Sequence, residues 1–537
     1  MTPHLRQRAL AFAAIGIVFC LMLFPEFGYV PIWDGRVYSN CVIDAAANGL
    51  TLDSLRCAGH PSQGYALFLA LPQLVRLGDV SLLHLMNTLL GLLALVCIRV
   101  VLSRVFPARD LARQLDLLTL ACAVHPVLLS TLLQVNIDFG VYVFFFASLA
   151  ALLSERFAWT AIAGLALCFS KETGVLAYGL MLGLFALCWA VEGKGTPVER
   201  LRRIRPMWIT TAPIVAFGAY VAWWNATHAQ GALWKHAWQQ RTVDGFNFFD
   251  LSEPIFQSYA AGIFVLGFMW VATAVIGADL LVGGIRMAKR LPRRELHGAD
   301  DRLIRYVGLL TALLIYALTS FRTWTNLRYF ALVYPLLVLL AFAALLRLGA
   351  GARTRITGVV ALTMLFTLAA YRSDDPISKA VYGTFSIGDR SMYRMTPRAD
   401  RSGPGRDALV YNLEFTGFHH VQNSLYRQIR PTDSTAIATS RAVNWNLWSP
   451  LDPRTLRRTL TRDSGFVPRY ADEIELAANP DRPPDLWFLE FSNQLESDRA
   501  LESMGALYTE VAILRVRARG HLLKAHHLIL RETPLHP

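Results

Sequence analysis

Eleven apolar runs, each near the length of a membrane crossing, constrain this chain more than any other feature. They lie at about 9–30, 80–102, 115–135, 139–153, 157–170, 174–191, 207–226, 259–284, 304–320, 329–347 and 354–371. Crossing the hydrocarbon layer of a bilayer as a helix takes roughly 20 residues. The three runs between 139 and 191 are short or closely joined. Hydrophobic residues make up 54% of the 537 positions and charged ones only 17%. A soluble domain of this size carries more charge, so the class is integral membrane protein. The basic start and long apolar stretch of the N-terminus lack a small-x-small cleavage site, which predicts an uncleaved first span.

Loop charge tests this arrangement. Cytoplasmic loops of an eleven-span chain hold Arg6 and Arg8; Arg104, Arg109 and Arg113; Lys194, Arg200, Arg202, Arg203 and Arg205; Arg286, Lys289, Arg290, Arg293 and Arg294; and Arg347, Arg353 and Arg355. The opposite loops hold few basic residues, notably Arg36, Arg56, Lys171, Lys235, Arg241, Arg322 and Arg328. That asymmetry follows the positive-inside rule. Counting residues 62–78 ("SQGYALFLALPQLVRLG") as a further span reverses every later loop. With Pro72 and Arg76 inside it, that stretch fits better as helix at the interface. The expectation is an N-terminus in the cytoplasm, a first external loop at 31–79 and an external C-terminus. The net charge of +13 is thereby explained by orientation, and no basic-aromatic platform or zinc-finger spacing supports nucleic-acid binding.

Composition changes near residue 372. The transmembrane part is read as 1–371 and a soluble α/β domain as 372–537. Strand-length runs ("DALVYNL", "STAIATS", "DLWFLEF", "TEVAILRVRA") alternate there with helically spaced segments such as "GFHHVQNSLYRQI". Residues 372–405 read as an irregular linker.

Five cysteines, at 20, 97, 122, 168 and 188, lie within apolar runs and read as small buried residues. Cys41 and Cys57 share the first external loop. A disulfide closing it is feasible in an oxidising compartment, and two free thiols are the alternative.

The polar residues that stand out fall at external helix ends. Asp34 opens the first loop in "WDGRVY", and His60 precedes a proline in "AGHPSQGY". Asn136 and Asp138 occupy a tight turn in "QVNIDFG". Lys171 and Glu172 sit between two apolar runs in "CFSKETGVL". Arg322, Arg328 and Tyr329 lie in "SFRTWTNLRYF". Each has a bland reading: a helix cap for Asp34, turn propensity for Asn136 and Asp138, a local ion pair for Lys171 and Glu172, snorkelling for Arg328. Their convergence on one membrane face favours function, since ionisable residues at membrane depth are functional candidates by default. The adjacent pairs His419–His420 and His526–His527 do not put two ligands on one helix face, so no metal site is expected there. "NAT" at Asn225 is a short and often accidental glycosylation pattern. No Walker A or Asp-x-Asp pattern supports nucleotide binding.

Taken in order, "WDGRVY", "AGHPSQGY", "NID", "LALCFSKETG" and "LRYF" before a further span resemble the GT-C glycosyltransferases. The closer likeness is to bacterial relatives of the protein O-mannosyltransferases and of the lipid A aminoarabinose transferase, over about residues 5–345. Members of this kind often carry Asp-Glu in the first loop. Here the second position is Gly35, so a divalent metal, although chemically possible, has no support, and no cofactor is required. The resemblance implies sugar transfer from a polyprenyl-phosphate donor to a lipid, glycan or protein acceptor outside the cytoplasmic membrane of a bacterium, with a periplasmic C-terminal domain. A lipid phosphate leaves without a strong general acid, so one carboxylate and cations suffice. Asp34 is the candidate base. Lys171, Arg322 and Arg328 are candidates to hold the phosphate. His60, Asn136, Asp138, Glu172 and Tyr329 are candidates to contact substrate. A transporter or flippase, or a polymerase or ligase of lipid-linked saccharides, remains the alternative; a carrier is expected to show broken helices at the midplane.

Overall fold

The computed structural model describes residues 3–531, apart from 30, 32, 193–195, 197–198, 200–204, 228–253, 290–297, 320–326, 388–389, 394–410, 430–434, 440–468, 473–481, 491–493 and 519–520. Among the described residues, seven helices are long and apolar enough to cross a membrane, and they cover Ala9–Glu26, Val80–Val105, Glu172–Val191, Pro206–Thr227, Leu266–Ala288, Asp301–Thr319 and Ala352–Tyr371. A pair bent by 49°, Arg109–Ala123 with Pro126–Leu133, meets the same test only when its two helices are taken together, and three shorter apolar helices lie at Ile137–Leu153, Phe157–Cys168 and Val333–Arg347. Together they account for each of the eleven apolar runs. The protein is a polytopic α-helical membrane protein with a smaller α/β part at its C-terminal end.

Helix Val80–Val105 shows why these runs pack as they do. Its buried side includes Leu90, Ala94, Leu95 and Ile98, whereas Leu85, Leu89, Leu93 and Val96 are exposed. A helix apolar on every side suits a position between protein and lipid. Since lipid is as apolar as leucine, close packing rather than hydrophobicity holds such helices together.

The first external segment is more ordered than a loop. Trp33–Asn48 forms α1 and Gln63–Gln73 forms α2. Asp34 therefore sits in the first turn of a helix, where its charge favours the positive end of the helix dipole. Two glycines dock this segment onto the bundle. A Cβ at Gly35 would lie 1.7 Å from the carbonyl oxygen of Gln134, and one at Gly64 would lie 2.3 Å from that of Ala166. Neither contact tolerates a side chain. A disulfide joins Cys41 on α1 to Cys57, with the Cα atoms 5.6 Å apart. In native membranes alkylation of these two cysteines is expected only after reduction; labelling of both in unreduced protein would refute the bridge.

The reading of 372–405 as an irregular linker is corrected over its described part. Helix Pro376–Tyr382 is followed by a hairpin of β1 (Thr384–Ile387) and β2 (Arg390–Tyr393). Asp375 caps that helix and is fully buried. Its carboxylate accepts from the Phe268 N–H at 2.9 Å and the Trp270 indole at 3.1 Å, two residues more than a hundred positions away.

Beyond it, β3 (Thr435–Thr439), β4 (Arg469–Asp472), β5 (Asp485–Glu490), β6 (Tyr508–Ala518) and β7 (His521–Leu530) form a sheet in the order β4-β3-β5-β7-β6. The β3 pairings are parallel, whereas β7 runs antiparallel to both β5 and β6. "DALVYNL" is not the strand expected over its described part: Tyr411–Leu413 form a turn, because the Leu413 N–H donates to the carbonyl of Ala370 at 2.7 Å and not to a neighbouring strand. Residues 407–410 lie outside the described set. Helix Glu414–Ile429 ties this region to the first span, with His420 Nε2 2.8 Å from the buried carboxylate of Glu26.

Candidate active site

Four of the charged residues picked out in the sequence meet in one chain of contacts. Lys171 donates from Nζ to Oδ1 of Asp138 at 2.7 Å. The other oxygen of Asp138 lies 3.1 Å from Nε of Arg328, whose Nη2 donates to Oδ2 of Asp34. Lys171 comes from the junction before helix Glu172–Glu192, Asp138 from the first turn of Ile137–Leu153, Arg328 from the short turn Leu327–Phe330 and Asp34 from α1. Helix ends separated by 294 residues thus meet at one face of the bundle.

Exposure grades along this chain. The side chain of Asp138 is 3% exposed, Lys171 8% and Arg328 12%, but Asp34 is 32% exposed. Asp138 and Lys171 are buried, Arg328 is largely covered, and Asp34 is the most exposed of the four. Burial opposes the Lys171 ammonium, yet Asp138 beside it more than offsets that and holds its pKa above the ordinary lysine value. For Arg328 burial again opposes the charge, and Tyr329, Asp138 and Asp34 outweigh it. Both groups therefore stay cationic at neutral pH. Tyr329 lies beneath them, with Lys171 Nζ 4.1 Å and the Arg328 guanidinium carbon 5.7 Å from its ring centroid.

The turn that delivers Asp138 is unusual. Val135 takes a left-handed conformation, φ 51°, which is strained for a β-branched residue. Asn136 follows and caps the helix, its side-chain oxygen accepting from the Asp138 N–H at 3.3 Å. Gln134, ahead of the kink, bonds to the Tyr29 hydroxyl at 2.5 Å, and its carbonyl is the atom packed against Gly35.

Lys171 and Glu172 are not a local ion pair. Glu172 turns the other way, and its two oxygens lie 2.8 and 3.0 Å from Nδ1 of His60. That contact fixes the imidazole with Nδ1 donating, and His60 remains 32% exposed on its side chain. The docking of Gly64, whose N–H donates to the Phe169 carbonyl at 2.7 Å, brings His60 to Glu172. Tyr38, which sequence reading missed, lies 6.3 Å from the His60 ring, one helical turn after Asp34. Burial raises its phenol pKa, so the hydroxyl keeps its proton. The missed signal was the i, i+4 spacing from Asp34, which has meaning only once 33–48 is known to be a helix. Arg322 lies outside the described residues.

The donor set does not fit a divalent cation. Asp138 is shared between two cations, Asp34 bonds to one of them, and the Gly35 position has no room for a second acid. Among the described residues no group of three histidine, cysteine or carboxylate side chains is placed to hold a metal. His526 lies between Glu510 at 2.7 Å and Glu490 at 3.2 Å on opposite ring nitrogens, while His527 pairs with Asp485 at 2.6 Å.

No family model and no curated protein matches the chain. Among solved structures it is similar to ArnT of Cupriavidus metallidurans bound to undecaprenyl phosphate, with 14% identity and a TM-score of 0.47 over 96% of this chain and 97% of that one. It is also similar to the Archaeoglobus fulgidus oligosaccharyltransferase in complex with zinc and sulfate, with 12% identity and a TM-score of 0.42 over 93% of this chain and 67% of that one. A further likeness is to the same organism's oligosaccharyltransferase AglB with an inhibitory peptide and a dolichol-phosphate, at 12% identity and a TM-score of 0.40, covering 94% of this chain and 69% of that one.

Proposed function

We propose that this protein transfers a sugar from a polyprenyl-phosphate carrier to an acceptor at the external face of a bacterial cytoplasmic membrane. The observation that carries the reading is the pairing of two cations, the buried Lys171 and the largely covered Arg328, with a more exposed carboxylate, Asp34, at the helix ends. A phosphodiester at a membrane surface needs fixed positive charge to leave as a monoester, and its attacking acceptor needs a group to receive a proton.

In this reading the acceptor oxygen attacks the anomeric carbon, and the bond from that carbon to the phosphate oxygen breaks. The electron pair remains with the lipid phosphate, where Arg328 and Lys171 stabilise it. Asp34 takes the acceptor proton. Asp138 is too buried to meet substrate and instead holds the two cations in place. His60, fixed by Glu172 and 32% exposed, faces the side on which sugar and acceptor are oriented, while the fully buried Asn136 caps the helix that carries Asp138. Incubating purified protein with polyprenyl-phosphate sugars and, separately, with nucleotide sugars tests the donor class. Free polyprenyl phosphate is expected only from the lipid-linked set, and turnover of nucleotide sugars alone would contradict the reading.

The bent helix pair is the feature that speaks for a transporter, because carriers break helices at the midplane. Here the break is closed. His125 at the bend stacks on Tyr334 at 4.4 Å and meets the Phe366 ring edge at 4.8 Å, and the space beside it does not admit a water molecule. A catalytic reading accounts for the break as packing.

The same proposal fixes sidedness: N-terminus in the cytoplasm, site and C-terminal part in the periplasm. Reporter fusions after residues 30, 105, 200, 295 and 400 are expected to read outside, inside, inside, inside and outside. A cytoplasmic signal at 400 would move the site to the wrong face for a periplasmic acceptor.

A further inference from the structure

The geometry points to a base that is released by its own substrate: the donor phosphate displaces Asp34 from Arg328, and the freed carboxylate, received by Tyr38, becomes able to take the acceptor proton. This rests on the lipid-phosphate reading above and adds how the site is held idle without donor.

The argument begins with the two carboxylates on Arg328. Asp138 is 3% exposed and also bonded to Lys171, so moving it would leave a buried charge unpaired. Asp34 is 32% exposed and is the member of the chain that can leave Arg328 without stranding a buried charge. Its oxygen occupies an Nη2 donor suited equally to a phosphate oxygen. A carboxylate and a phosphate compete for that donor one for one.

Displacement changes Asp34 chemically. Beside a guanidinium a carboxylate is stabilised as the anion and accepts protons poorly; beside a newly bound phosphate anion the sign of that effect reverses. Tyr38 supplies the landing partner. It follows Asp34 by four residues, on the same face of α1. Tyr38 is 4% exposed, its ring lies 6.3 Å from that of His60, and among the described residues its hydroxyl makes no hydrogen bond. A protonated phenol here can donate to the displaced carboxylate and keep it beside the acceptor. Tyr38 is accordingly a positioning residue.

Equilibrium binding of polyprenyl phosphate to purified full-length protein tests the exchange. Asp34→Asn removes the internal competitor and is expected to tighten binding about tenfold, equivalent to ~1.4 kcal/mol. Asp44→Asn removes an exposed carboxylate ten residues further along α1 and controls for simple loss of negative charge; a change of at most about twofold is expected. Tyr38→Phe is expected to lower kcat while leaving phosphate affinity within about twofold. Unchanged or weaker binding by Asp34→Asn, or equal tightening by Asp44→Asn, overturns the exchange and leaves the transferase reading standing. Wild-type protein that does not bind polyprenyl phosphate overturns both.

Discussion

Asp34→Asn is expected to abolish sugar transfer while the protein still inserts, folds and binds polyprenyl phosphate. The amide keeps the size of the side chain and one acceptor oxygen but cannot receive the acceptor proton. General-base contributions are typically about 100- to 10,000-fold, so turnover should fall by at least that lower figure. Since Asp34 is the exposed end of the ion chain, its neutralisation leaves the buried Lys171–Asp138–Arg328 core paired. Residual activity above roughly a tenth of wild type would sink the assignment. A variant that fails to insert would favour the bland role of Asp34 as a residue that stabilises the start of its helix. The assay is single-turnover donor consumption, scored alongside retention of the folded protein on size exclusion.

Arg328→Ala is expected to have the second large effect, of a different kind. It removes the proposed phosphate ligand and also leaves the buried Asp138 with Lys171 alone. Removing one partner of a buried pair typically costs about 3–5 kcal/mol, much of it the penalty of the charge left behind. Polyprenyl-phosphate affinity, turnover and thermal stability should therefore fall together, since the phosphate is present in both ground and transition states. A double variant separates the contributions. Adding Asp138→Asn to Arg328→Ala should restore part of the stability, by removing the unpaired charge, without restoring affinity. Recovery of affinity in the double variant would mean that Arg328 does not touch the phosphate. Arg328→Lys is expected to remain poor, because an ammonium cannot reach Asp138 and a phosphate with the fixed fork of a guanidinium.

Much of the membrane fold is legible from the sequence because lipid imposes a length on each helix, and each of the eleven runs has a helical counterpart. The site is legible for a related reason: charge at a helix end near lipid is costly, so Asp34, Asp138, Lys171 and Arg328 stand out in the sequence alone. Their partnerships were not legible. Lys171 and Glu172 adjoin in sequence yet bond to Asp138 and His60 in opposite directions, which follows from how three helix ends are docked. Nothing local marks Gly35 as the residue against the Gln134 carbonyl, since that approach is set by tertiary packing. The same holds for 376–393, whose order depends on Asp375 bonding to Phe268 and Trp270. In α1 the polar stretch "DGRVYSN" hid the helix that places Tyr38 beneath Asp34.

The most direct measurement is made on sealed proteoliposomes containing the wild-type protein, a labelled polyprenyl-phosphate sugar and an envelope extract as acceptor source. The account predicts that label moves into a glycosidic bond with an acceptor while free polyprenyl phosphate appears in equal amount, and that Asp34→Asn yields neither. Intact labelled donor recovered from the opposite leaflet, with no new glycosidic bond, would contradict the account and identify a carrier.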